Sequence, residues 1–116
     1  MTLKGIGAAL AGGLFLFTAN LAQAAYATSG WVETSIDLET CLQVGERAVA
    51  VEGFSASRGR TSAFGWRGEE NIIARCIPEH GLVVIYVYSH QDVVDGILER
   101  LRAAYSAAAS GVKPRL

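Results

Sequence analysis

The spacing of apolar and polar positions changes several times along the chain. Trp31 to Ile36 alternates and is rich in β-branched residues, which predicts a strand with Val32, Thr34 and Ile36 on one face. From Leu38 to Glu52 the period becomes helical. Leu38, Cys41, Leu42, Gly45, Ala48 and Val49 share a stripe flanked by Val44 and Val51, with Glu39, Gln43, Glu46 and Arg47 opposite. Asp37 stands where a helix N-cap is needed, and Gly53 suits a left-handed stop with Phe54 folding back on the last turn.

Residues 55–60 read as a loop. Thr61 to Arg67 alternates again, with Ser62, Phe64 and Trp66 on one face and Thr61, Ala63, Gly65 and Arg67 on the other. Gly68-Glu69-Glu70 reads as the turn into a strand from Asn71 to Ile77, with Ile72, Ala74 and Cys76 on one face and Ile73, Arg75 and Ile77 on the other. Pro78-Glu79-His80-Gly81 is turn chemistry. Leu82 to Tyr88 is apolar almost throughout, as a central strand is when both its faces are at least partly covered. Ser89-His90-Gln91-Asp92 has the form of a capping box before the strongest helical period in the chain, from Val93 to Ala108.

These elements predict an α+β two-layer sandwich, β-α-β-β-β-α, with a four-stranded, mostly antiparallel sheet and both helices on one face. The order 2-3-4-1 places the Leu82–Tyr88 strand inside the sheet. A right-handed helical crossover then joins the first strand to the second.

The first 24 residues do not belong to this pattern. Lys4 precedes an uncharged, glycine-rich run from Gly5 to Leu21, followed by Ala22-Gln23-Ala24. This is the layout of a secretory signal peptide cut after Ala24. At 17 residues the run is short for a spanning helix, which needs about 20. The expected organisation is a cleaved signal over residues 1–24, a flexible start over 25–30, one domain over 31–109, a flexible tail over 110–116, and no stable membrane anchor. The product is then periplasmic or secreted.

Without Lys4 the formal charge falls from −1 to −2. A general nucleic-acid binder needs a basic surface, so that class is set aside. Two cysteines remain, Cys41 and Cys76. In an oxidising compartment the even count predicts one disulfide, tying the helical stripe to the sheet if both face the core. The alternative is a metal site using these cysteines with His80 or His90. The ligand types suit zinc or copper, but the two histidines flank a strand of about 23 Å and cannot share one ion. No G-x-S-x-G, H-E-x-x-H or phosphate-loop pattern lies outside the leader, so no catalytic residues and no cofactor are assigned.

What remains is the outer sheet face. If Ile72, Ala74 and Cys76 point inward, then Ile73, Arg75 and Ile77 point outward, joined by Arg67 and Gly65, while Phe64 and Trp66 pack in the core. Arg67 and Arg75 with Tyr86 and Tyr88 then form a surface for a protein or a small anionic ligand.

Two stretches considered together, Glu52-Gly53-Phe54 with Gly59-Arg60-Thr61 through Gly65-Trp66-Arg67-Gly68, and Ala74-Arg75-Cys76-Ile77-Pro78, resemble small exported bacterial proteins with no assigned activity. The resemblance spans Trp31 to Tyr105. It implies the fold and the compartment, and it transfers no catalytic residue.

Overall fold

The computed structural model describes residues 25–111. The expected signal peptide and most of the expected tail, residues 112–116, lie outside the described residues. Five strands and two helices follow in the order β1 (Tyr26–Glu33), α1 (Leu38–Val51), β2 (Ser55–Arg58), β3 (Ser62–Arg67), β4 (Glu70–Ile77), β5 (Leu82–Ser89) and α2 (Val94–Ala109). A 3-10 turn over Pro78–His80 joins β4 to β5, closed by Gly81 at φ +63°. The class is α+β, as the sequence indicates.

The sheet runs β1-β5-β4-β3-β2, and every neighbouring pair is antiparallel. It has five strands, not four. Ser55–Arg58, expected to be loop, pairs with Ala63–Trp66 as an edge strand. Its residues SASR offer neither alternation of large apolar side chains nor β-branching, so only the partner strand defines it. This additional strand also changes the crossover. β1 and β3 run in opposite directions, and β2, the strand that follows the helix, is parallel to β1. The helical connection therefore carries the chain from one edge of the sheet to the other.

The first strand begins earlier than expected. Residues 26–30, expected to be flexible, pair with Ile85–Ser89, and β1 ends at Glu33. Thr28 and Ser29 supply no hydrophobic alternation, so tertiary pairing overrides local pattern here.

Both helices lie on one face. Asp37 caps α1, its Oδ1 accepting from the Thr40 amide at 2.7 Å. Gly53, at φ +89°, ends it, and the Phe54 amide donates back to the Val49 carbonyl. From α1, Cys41, Leu42, Val44, Ala48 and Val49 enter the core; from α2, Val94, Ile97, Leu98, Leu101 and Tyr105 do. They meet Ala63, Ile72, Ala74, Cys76, Val83, Ile85 and Val87. Gly45 is where helix and sheet approach most tightly. A Cβ there would stand 2.5 Å from Ala63 Cβ and 2.6 Å from the Tyr105 hydroxyl. That hydroxyl is buried without a partner, and burial raises its pKa above the usual phenol range.

The Cys41–Cys76 disulfide joins α1 to β4 across a sequence separation of 35, with Cα atoms 6.2 Å apart. Closing a loop of that length stabilises by about 4 kcal/mol in the chain-entropy model. A domain this small has about 5 kcal/mol in total. The crosslink is therefore a principal support of the fold.

α2 starts differently from expectation. No capping box forms. Ser89 is the last residue of β5, and α2 begins at Val94 without a side-chain cap. The Ser89 hydroxyl instead donates to Glu70 and accepts from the Gln91 amide at 3.0 Å. A buried carboxylate across the sheet has taken the serine that the sequence assigned to the helix.

Candidate functional site

The helix-free face of the sheet is built by register. Gly68 and Glu69 alone form the turn between β3 and β4, with Arg67 opposite Glu70 and Gly68 at φ +60°. A positive φ at only the first central residue is the requirement of a type II′ hairpin. This pairing sets Gly65 beside Ile72 and Ala63 beside Ala74, so these four share the covered face. A Cβ on Gly65 would stand 2.8 Å from Val49 Cβ. Phe64 and Trp66 therefore point outward. Their expected place in the core is corrected, as is the outward placement of Gly65 and Arg67.

The open face falls into four rows. Glu33, Leu82 and Ile77 make the first, and Trp31, Val84, Arg75 and Ser62 the second. The third is Ser29, Tyr86, Ile73, Phe64 and Ser57; the fourth is Ala27, Tyr88, Asn71, Trp66 and Ser55. Trp31 is 62% exposed, Trp66 46%, Tyr86 44% and Val84 40%. Neither helix covers them. A shallow hollow of about 280 Å³ lies among Ser29, Gly30, Trp31, Leu82 and Val84. Among these positions only Glu33 and Arg75 carry charge.

Of the four residues expected to form the binding surface, Arg75, Tyr86 and Tyr88 share this face, and Arg67 does not. Arg67 lies on the helix side, its guanidinium 4.4 Å from the Phe54 ring centroid. Its Nε donates to Glu70 at 2.9 Å and its Nη1 to the Glu52 carbonyl at 3.5 Å. Glu70 is buried and accepts from Ser89, Arg67 and the His90 amide, the last at 3.0 Å. The Ser89 bond contributes most, followed by Arg67 and then the amide, and together they hold the Glu70 carboxyl at about 2. This network pins the β3–β4 turn to the end of β5. It is structural and leaves no free anion receptor at Arg67.

Trp31, Trp66, Val84, Phe64 and Glu33 were not marked as surface-forming by the sequence. For Trp31, Glu33 and Val84 the available signal was alternation with Val32 and Val83; for Phe64 and Trp66 it was turn length. A two-residue turn places Trp66 outward, whereas a turn read as Gly68-Glu69-Glu70 shifts the pairing by one and inverts every side chain of β3.

Both cysteine sulfurs are bonded to each other. His80 lies in the 3-10 turn and His90 follows β5 at the opposite end of that strand, its Nε2 3.3 Å from Glu69. Among the described residues no three His, Cys, Asp or Glu side chains gather into a metal-ligand set, and no helix is long and apolar enough to cross a membrane. A groove of about 180 Å³ between the helices is bordered by the bidentate pair of Arg100 with Glu52, at 2.7 and 2.8 Å. Comparison with protein-family models and with curated proteins finds no match.

Proposed function

We propose that this chain is a small exported, non-enzymatic domain, periplasmic or secreted, that docks a protein on its open sheet face. One observation carries the reading: the chain's two tryptophans, Trp31 and Trp66, both stand half-exposed on the face that no helix covers. Exposed tryptophan, tyrosine and arginine are the residues that most often anchor protein interfaces. The compartment is supported by the leader-like first 24 residues and by a disulfide that stabilises the core, since disulfides persist where the medium is oxidising.

A protein partner suits the face better than a small anion. With Arg67 engaged by Glu70, Arg75 is the one guanidinium in the four rows of the open face, and the hollow beside Trp31 is lined mostly by apolar groups. A metal-binding role has less support, because the disulfide removes both thiolates from ligation.

The test is photocrosslinking in producing cells, with a photoreactive residue replacing Val84 on the open face or Glu99 on α2. Adducts specific to Val84, and lost in a Trp31→Ser/Trp66→Ser background that retains its Tm, support docking. Equal adducts from both sites, or none from Val84, overturn it.

A further inference from the structure

We infer that the partner on the open face is a second copy of this chain, the two sheets packing face to face as a two-fold dimer. The inference rests on the docking reading and adds the partner's identity, from charge and area. Glu33 and Arg75 are both exposed. They stand two strands and one row apart, about 12 Å between backbones, with β5 between them, and make no contact with each other. Among the described residues neither forms an ion pair, whereas most arginines on the helix side do: Arg58 with Glu39 and Glu46, Arg67 with Glu70, Arg100 with Glu52 and Arg102 with Glu99, Arg47 being the exception.

One cation and one anion on an otherwise uncharged face make a self-complementary surface. A two-fold axis that brings Glu33 against Arg75 of the partner subunit satisfies the reciprocal pair at the same time. A foreign protein of one charge sign would leave one of the two buried without a counter-ion, which is costly. The area is also sufficient. Four rows on five strands project roughly 500 Å², at about 4.8 Å between strands and about 6.7 Å per row. With side-chain relief this approaches the roughly 800 Å² of accessible surface that each partner buries in a standard-size interface. The product is a sheet-on-sheet sandwich with helices outside, the usual way for a second layer to cover an apolar sheet face.

Sedimentation velocity on the chain isolated from producing cells should show a dimer at about 50 µM. Either Arg75→Glu or Glu33→Arg alone should weaken it at least tenfold, and the two together should restore it to within about threefold. Both tryptophans report on the face, so dilution through the transition should red-shift their emission. A monomer at all concentrations up to about 0.5 mM, or a dimer indifferent to either charge reversal, overturns the inference. A monomer whose Val84 probe still captures other proteins leaves the docking reading standing without self-pairing. A monomer whose Val84 probe captures nothing removes both.

Discussion

The two faces of the sheet are made from similar material and come to different ends. On β5 the inward Val83, Ile85 and Val87 are all 0% exposed, while their outward neighbours Val84 and Tyr86 are 40% and 44% exposed. On β4 the inward Ile72, Ala74 and Cys76 are buried, and outward Ile73 and Ile77 are half-covered around an exposed Arg75. Hydrophobic content does not separate the faces; the helices do. α1 and α2 have one apolar stripe each, and both stripes are spent on the same side. The other side retains its apolar groups without cover, and that asymmetry makes it the candidate interface.

The sharpest way to break the covered side is its crosslink. Reducing Cys41–Cys76, or replacing both with alanine, should cost about 4 kcal/mol, read as a large fall in the urea midpoint. An equal midpoint with and without reductant would mean that packing alone holds α1 to the sheet.

Adjacent residues on β5 test the comparison most directly. Ile85→Ala should destabilise by about 3 kcal/mol, because it opens a cavity in a close-packed core. Val84→Ala, one position away, should change the midpoint by less than about 0.5 kcal/mol when measured below the association range. Comparable losses at both would mean that the outer face supports the monomer as much as the inner one does.

Glu70 gives a smaller loss than the crosslink or Ile85, with a pH signature. Its carboxyl is held at about 2 against an ordinary value of 4.5, so the fold favours its charged form. The resulting stability is fully present above about pH 4.5 and is lost as pH falls toward 2. Because Arg67 is 43% exposed, solvent screens part of the attraction, and Glu70→Gln should cost roughly 1–2 kcal/mol at neutral pH. Denaturant midpoints from pH 6 to pH 2 should fall less steeply in Glu70→Gln than in the parent chain. Parallel slopes would remove the network from the account of acid stability.

Residues whose role is local were legible in the sequence. Asp37 caps its helix and Gly53 ends it, because a cap and a left-handed stop depend on neighbours a few positions away. The α1 and α2 stripes were visible from period alone, and the cysteine count implied the disulfide that the fold contains. Of the candidate site, Arg75, Tyr86 and Tyr88 were placed on one face by alternation. Arg67 was not, because its side depends on how β3 is registered against β4. The reassignment of Ser89 from a helix cap to Glu70 was equally invisible, since its partner is 19 residues away.

The sequence by itself therefore determined the elements that carry their own period, the cap and stop of α1 and the pairing of two cysteines. Only the tertiary structure decided that 26–30 and 55–58 are strands, since their composition is neutral and the neighbouring strand provides the order. It also decided which way β3 faces. The side-chain period of a strand is two, so one residue more or less in the Gly68-Glu69 turn exchanges core for surface. That exchange puts Trp66 outside, on the same face as Trp31, which alternates with buried Val32 on β1.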